Sequence, residues 1–396
     1  MTVVGVLGLL LGVLAIGIGR SQATSSRLVV CAALFAAHLA ASLYYYQYSM
    51  TASADAWSYY FDPMSLSSSP FSLGMIFVFK LVHFMKATTE ATYLDCFFVF
   101  QSIGFAGNMI LLRVFDEIGA NIGVPENRGY FVLLFLPSVN FWTGAIGKDA
   151  PLFFAVSLCV WAMLSLRRRI VYFCLALFVM ILFRAHIALM AATALALSAF
   201  IGSTASLGRK AGMLVIAIAG LWFTIGPVEN TLNVDVTSVD AVSTFLDSKN
   251  SGFATVAGTT SLGHASFPVR VFSLIFRPFF FDAGNMLGVV ASIENVGVAL
   301  ALLYLIAHAR DLMMLIRRVL FIRFCLLFAI VILFSLTLVY YNVGLGLRQR
   351  VMAFPMIFPV LVAMWSLRRR QAAAEAGRVQ QGLVPGPLRN RPLPEV

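Results

Sequence analysis

Two adjacent charged residues, Lys148 and Asp149, lie between long apolar runs of the sequence. A charge at the centre of a membrane helix costs about 2.5–3.5 kcal/mol, so such a pair needs a partner or a function. Gly147 and Pro151 flank the pair and predict a break between helices. The lysine could neutralise a phosphate while the aspartate orients the phosphate or a neighbouring arginine. Alternatively, the two residues pair with each other and cap the following helix.

A second polar segment, residues 54–63, carries Asp55 and Asp62 beside Trp57 and Tyr59. Aromatic rings can stack on sugar rings, and a carboxylate can accept a hydroxyl proton, so the segment suits a sugar site. The alternative is an aromatic belt at the membrane surface with solvated acids. The segment alone leaves both interpretations open.

Arginines occur at further places where an anion could bind. Arg184 separates two apolar runs, Arg277 precedes Asp282, and Arg348 and Arg350 lie one residue apart in a glycine-containing segment that we predict to be a loop. Guanidinium groups match phosphate oxygens, so we predict that these residues bind a phosphate or a sugar. The alternatives are an arginine that extends to the membrane surface and a basic loop that contacts anionic lipid.

Composition restricts the class of protein to those that span a membrane. Hydrophobic residues make up 60% of the chain, charged residues 11%, and the mean hydropathy is +0.90. The apolar runs are continuous rather than alternating, which predicts an all-α, polytopic transmembrane helical bundle rather than a β-barrel. We attribute the net charge of +11 to membrane orientation, not to nucleic-acid binding. The five cysteines form no CxxC pair and are predicted to be small buried hydrophobes.

We predict about 11 spans plus one re-entrant or interfacial helix at residues 71–86. The first span has no basic segment before it and is predicted to be retained rather than cleaved as a signal peptide. The predicted spans are residues 2–19, 27–48, 94–112, 128–145, 150–166, 170–183, 185–201, 211–228, 286–308, 319–341 and 351–366.

Basic clusters set the predicted orientation. Arginines at 167–169, 317–318 and 368–370, with Arg209-Lys210, should be cytoplasmic, which places the N-terminus in the periplasm and the C-terminus in the cytoplasm. Residues 1–367 then form a transmembrane catalytic domain with periplasmic loops at 49–93 and 229–285, and residues 368–396 form a disordered, basic cytoplasmic tail.

This orientation places the candidate site residues on the outward side. Their cations lie on the side that the positive-inside rule disfavours, and an anionic ligand at the outer membrane face would account for them. No protein metal site is predicted, since the sequence contains no HxxxH or HExxH spacing.

Three motifs resemble a family of multi-spanning proteins that are typically encoded in bacterial polysaccharide gene clusters. They are Pro137–Asp149, which contains Trp-x5-Lys-Asp; Arg277–Asn285 followed by Glu294-Asn295; and Asn342–Arg350, which ends in Arg-Gln-Arg. The overall plan, including the acidic first outward loop, also resembles GT-C-type glycosyltransferases and O-antigen-polymerase-like enzymes. The resemblance covers most spans but not the tail. GT-C first loops often carry closely spaced acids, whereas Asp55 and Asp62 are well separated here, so the base and any divalent-cation requirement stay open.

The resemblance implies an inner-membrane glycosyltransferase or polysaccharide polymerase acting on a polyprenyl-phosphate- or diphosphate-linked sugar at the periplasmic face, with a glycan or lipid-linked acceptor. The predicted catalytic residues are Asp55, Lys148 and Asp149. The predicted substrate-binding residues are Arg184, Arg277, Arg348, Arg350, Asp282, Trp57, Tyr59 and Asp62. The alternative functions are a transporter or flippase of an anionic lipid-linked saccharide, and a non-catalytic scaffold for envelope assembly. The absence of an internal repeat and the gathering of charges on one side favour the enzyme.

Overall fold

The computed structural model describes residues 1–19, 25–52, 54–62, 73–124, 128–202, 265–338 and 343–380, together with the isolated positions 208, 240 and 244. These residues form helices and turns, and no strand occurs among them. The predicted span 211–228 and most of the predicted loop 229–285 lie outside the described residues.

Fourteen α-helices are assigned within the described ranges. In chain order they are α1 (Val3–Ala15), α2 (Ser25–Thr51), α3 (Asp55–Phe61), α4 (Met75–Thr89), α5 (Tyr93–Ile122), α6 (Pro137–Thr143), α7 (Asp149–Met163), α8 (Ile170–Gly202), α9 (Phe267–Phe276), α10 (Met286–Ala307), α11 (Ala309–Arg318), α12 (Leu320–Leu338), α13 (Val343–Arg350) and α14 (Phe354–Gln380). Short 3₁₀ helices cover Arg128–Phe135, Phe280–Asp282 and Val351–Ala353.

Six helices in the described part of the chain are long and apolar enough to cross a membrane, which makes this a multi-pass membrane protein. They correspond to α2, α5, α8, α10 and α12, and to a stretch from Val343 to Gly377 that joins α13 and α14. Helices α1, α7 and α9 are apolar but shorter. Four of the cysteines are buried as predicted, whereas Cys174 is exposed on the surface of α8.

Helix α5 is the centre of the bundle and packs against α1, α2, α7 and α14. Its first turn is closed by a capping box, in which the Thr92 hydroxyl accepts from the Asp95 amide and the Asp95 carboxylate accepts from the Thr92 amide. Asp95 also accepts from the Thr2 amide at 3.1 Å, which places the start of α1 beside the start of α5. The opposite end of α5 carries Asp116 and Glu117. The two ends of α5 therefore define two ends of the bundle.

Helix α8 is interrupted at Arg184, whose backbone angles are φ −154° and ψ 87°. A straight helix would separate Phe173 from Ser198 by about 37 Å. Both residues nevertheless contact the start of α12, since the Phe173 ring lies 6.5 Å from that of Phe324 and the Ser198 carbonyl accepts from Arg323 at 3.1 Å. The chain therefore bends sharply at Arg184, where the sequence predicted a break.

Three other predictions differ from the structure. The predicted continuous span 128–145 is divided into a 3₁₀ helix and α6, because Pro137 occupies the first turn of a new helix. The predicted loop around Arg348 is helix α13. The tail predicted to be disordered from residue 368 continues as helix α14 to Gln380, and its remainder lies outside the described residues.

Candidate functional site

The turn between α6 and α7 lies in the half of the bundle that contains the start of α5, since the Tyr45 ring contacts both Phe97 of α5 and Trp142 of α6. A Cβ atom at Gly104 of α5 would overlap the Thr143 carbonyl oxygen, so a glycine there lets α6 approach α5 closely. The Ser42 hydroxyl donates to the Gly144 carbonyl at 2.6 Å and ties the turn to α2. Gly147 then has φ 156°, which side-chain-bearing residues rarely adopt, and the next helix begins at Asp149.

Asp149 is buried, with 4% of its side chain exposed, and binds two arginines. Its Oδ2 accepts from Nε of Arg348 at 2.5 Å, and its Oδ1 accepts from Nη2 of Arg184 at 3.3 Å. Its position in the first turn of α7 places this negative charge at the positive end of the helix dipole. Asp149 therefore joins the turn to the bend in α8 and to α13.

Arg348 also binds Asp55, the first residue of α3, through Nη1 and Oδ2 at 2.5 Å. The guanidinium carbon lies 5.5 Å from the centre of the Trp142 ring. Residues from α3, α6 and α7 thus meet at the guanidinium of Arg348 on α13, and Arg184 of α8 joins them through Asp149. We call the set Asp55, Lys148, Asp149, Arg184 and Arg348 the Asp149 cluster.

Lys148 does not pair with Asp149, whose oxygens are taken by the two arginines. It is half-buried, and its ammonium makes no hydrogen bond or ion pair with any other described residue. Burial, together with the nearby positive charge of Arg184, lowers the pKa of the Lys148 ammonium to about 8. The prediction that Lys148 and Asp149 pair with each other is therefore wrong, whereas their position at the start of the following helix is confirmed. A cation is left facing a site that already contains two arginines.

Arg350 lies away from this cluster, although it is only two residues from Arg348. It is 3% exposed, donates from Nη1 to the Ile275 carbonyl at 3.0 Å, and donates from Nη2 to the Asn295 side chain. The Asn295 amide in turn donates to the Pro278 carbonyl at 2.8 Å. Arg350 thus connects α13 to α9, α10 and the turn between them.

Arg277 and Asp282 bind each other through two hydrogen bonds of 2.8 and 2.7 Å. The Asp282 carboxylate also accepts from the Phe279 amide at 3.1 Å, and these hydrogen bonds lower the pKa of Asp282. The pair shapes the turn between α9 and α10, and in the described part of the chain neither residue is among the ion-pair partners of Asp149 and Arg348. The predicted start of a helix at residue 286 is confirmed, with the Asn285 side chain accepting from the Gly288 amide at 2.9 Å.

The aromatic residues predicted to bind sugar occupy different environments. Tyr59 is 2% exposed and packs against Phe79, so its ring faces are not open to a ligand. Trp57 is 37% exposed, but Phe61 stacks on it with ring centres 3.9 Å apart. Asp62 is exposed at the end of α3, and no contact joins it to Arg348.

One site residue was missed in the sequence. Trp142 lies in the Trp-x5-Lys-Asp motif and contacts the Arg348 guanidinium, and its ring lies 5.8 Å from that of the buried Tyr45. Its place in that motif was the available signal. Within the described residues, no group of three or more histidine, cysteine, aspartate or glutamate side chains could hold a metal ion.

No protein-family model, curated protein or solved structure matches this chain.

Proposed function

We propose that this protein is a membrane glycosyltransferase or polysaccharide polymerase of the GT-C type. In this proposal, the Asp149 cluster faces the periplasm and acts on a polyprenyl-phosphate- or diphosphate-linked sugar. The observation that carries the proposal is that Arg348 binds both Asp149 and Asp55 while the ammonium of Lys148 beside them has no partner among the described residues. A site with three cations and two carboxylates, one of them exposed, suits an anionic substrate and a base.

The roles follow from burial. Asp149 is almost inaccessible and holds two arginines, so we assign it to organising the site. Asp55 is 55% exposed and lies where an acceptor could approach, so we assign it as the general base. Arg348 and Lys148 would bind the phosphate, and Arg184 would support them electrostatically.

The proposed reaction transfers the sugar from phosphate to an acceptor hydroxyl. The acceptor oxygen attacks the anomeric carbon and forms the new glycosidic bond while Asp55 takes the hydroxyl proton. The bond between the anomeric carbon and the phosphate oxygen breaks, and the polyprenyl phosphate or diphosphate leaves with the electron pair. The additional negative charge on the leaving phosphate is stabilised by Arg348 and Lys148.

The distribution of charges also supports a one-sided reaction rather than transport. At the other end of the bundle, Asp116 and Glu117 bind arginines, as a structural ion-pair network would require. The Asp149 cluster contains an exposed carboxylate and an unpaired lysine. The described residues at the other end of the bundle do not include such a combination. A carrier of an anionic saccharide would be expected to use polar groups across the membrane.

The test is transfer from purified polyprenyl-phosphate- and diphosphate-linked sugars by the full chain in detergent or vesicles. We expect Arg348→Ala to lower the rate by about 10²–10³-fold, as for loss of a donor that stabilises developing charge. Asp55→Asn should also abolish most activity, while Arg368→Ala at the other end serves as the control. Unchanged transfer in both site variants would exclude the proposed roles. Movement of unmodified substrate across vesicles would instead favour a flippase.

A further inference from the structure

The two carboxylates bound to Arg348 are held very differently. Asp149 is 4% exposed and is shared with Arg184, whereas Asp55 is 55% exposed and has Arg348 as its ion-pair partner. An exposed ion pair contributes little to stability because water solvates the separated charges almost as well. Asp149 is therefore a fixed partner of Arg348, and Asp55 is the one that another anion can replace.

The position of Asp55 marks a place where a phosphate oxygen would fit. Its carboxylate binds the Nη1 atom of Arg348, while Nε is already used by Asp149. Carboxylate and phosphate oxygens make the same charge-assisted hydrogen bonds to a guanidinium. Arg348 itself is only 14% exposed, so its orientation is set before a ligand arrives.

Lys148 supplies a second cation close to this position. It is half-buried and near enough to Asp149, Arg348 and Asp55 to interact with all three electrostatically. With the Asp55 carboxylate bound, the cluster has three cations and two carboxylates, so one positive charge is in excess. A phosphate monoester or a diphosphate carries more negative charge than a carboxylate and would balance the lysine as well, whereas a phosphodiester carries one charge that both cations could share.

We propose that Asp55 is an exchangeable counter-ion, which the phosphate of the substrate displaces from Nη1 of Arg348. The phosphate then binds Arg348 and Lys148 together, and the released Asp55 carboxylate is free to accept a proton. The exchange frees the Asp55 oxygen that binds Arg348, so binding of the donor makes that oxygen available to the acceptor hydroxyl. The role of the released Asp55 as a base rests on the proposed glycosyl transfer, whereas the exchange of anions does not.

The exchange predicts that removing the charge of Asp55 strengthens anion binding. We would titrate the full chain in detergent, at low ionic strength, with geranyl phosphate and separately with inorganic phosphate, using calorimetry. Geraniol would control for binding of the hydrocarbon alone. Because the competing pair is partly exposed, we expect Asp55→Asn to tighten binding about threefold to fivefold. Asp55→Glu retains the competing charge and should stay within about twofold of the unmodified protein.

Glu90→Gln is the matched control, because Glu90 is an exposed acid near the same end of the bundle and no ion pair joins it to Arg348. It removes the same charge and should leave the affinity unchanged. Tightening with both phosphates indicates that the phosphate group alone is recognised, and tightening only with geranyl phosphate indicates a lipid headgroup. Unchanged or weaker binding by Asp55→Asn, or no measurable binding by any form, overturns the exchange.

A parallel transfer assay separates this inference from the proposed function. Tighter binding with loss of transfer supports both the exchange and the role of Asp55 as the base. Tighter binding with full transfer removes the base assignment and leaves the exchange supported. Loss of transfer with unchanged binding removes the exchange alone.

Discussion

Arginine–carboxylate pairs occur at both ends of the helical bundle, but they leave different groups available. At one end, Arg169 binds Glu117 at 2.8 Å and covers the Trp161 ring, whose indole also donates to Glu117 at 2.9 Å. Arg27 binds Asp116 and also donates to the Gly19 carbonyl. We call this region the Glu117 end. Its ion pairs connect helices and are satisfied internally.

The Asp149 cluster uses the same residue types in another arrangement. Its two arginines converge on one buried carboxylate, its lysine has no ion-pair partner among the described residues, and its second carboxylate is exposed. A pair of arginine and aspartate residues therefore does not by itself identify a ligand-binding site. The informative feature is a cation that the folded chain leaves unsatisfied beside an exposed base.

The largest expected difference between the two ends is in stability. Asp149→Asn leaves two mostly buried arginines short of one negative charge, and removing one member of a buried ion pair costs about 3–5 kcal/mol. Asp116→Asn should cost about 1–3 kcal/mol, because Arg27 keeps its bond to Gly19 and the asparagine can still accept. Unfolding in mixed detergent micelles would compare the two variants. Equal losses of unfolding free energy would show that Asp149 contributes no more to stability than a member of an ordinary ion pair.

The next largest effect is expected at Arg350. We assign this residue to holding helix α13 in position rather than to binding the phosphate. Arg350→Ala removes the bonds that hold α13 to α9 and α10, and a displacement of about 1 Å at Arg348 can lower a rate about 10²-fold. Asn295→Ala removes one partner of Arg350 without changing any charge. It should also lower the rate of transfer, but by less than Arg350→Ala does. If Arg350 binds phosphate directly, Asn295→Ala should leave the rate of transfer unchanged.

A smaller effect is expected from the ionisation of Lys148. Its ammonium is present below its pKa of about 8 and is lost as the pH rises through that value, so anion affinity should fall in the same direction. Between pH 7 and pH 9 the dissociation constant for geranyl phosphate should rise about tenfold if the charged lysine is required. Lys148→Arg, which stays charged, should remove this dependence. A pH dependence that survives the substitution would assign it to another group.

The smallest expected effect on transfer is at the Glu117 end. Arg169→Gln should destabilise the protein by about 1–3 kcal/mol, since it removes a charge-assisted hydrogen bond and the contact with Trp161. Transfer by the folded fraction should be unchanged, measured per molecule that elutes as a single species from size exclusion. A loss of transfer comparable to that of Arg348→Ala would show that the two ends do not differ in function.

The sequence predicted much of the local organisation. The helix breaks at Arg184 and before Asp149 were indicated by charges within apolar runs. The helical continuation from residue 368 to Gln380 was missed, although alanine and glutamate follow the arginines and favour helix.

The sequence also predicted that Asp55, Asp149, Arg184 and Arg348 would gather, but not which way each arginine points. Arg348 and Arg350 were expected to share a ligand because they were assigned to a loop. In helix α13 they differ by about 200° around the axis, so one faces Asp149 and the other faces Asn295. Similarly, Arg277 and Asp282 were both expected to bind substrate, whereas their separation of five residues across a turn lets them bind each other.

The most direct test of the central claim is a structure of the full chain bound to a polyprenyl phosphate. We predict phosphate oxygens within hydrogen-bond distance of the Lys148 ammonium and the Arg348 guanidinium, with Asp55 displaced from Nη1 and Asp149 still bound to Arg348. A phosphate at the Glu117 end, or one held by Arg350 or Arg277 without Lys148 and Arg348, would contradict the account.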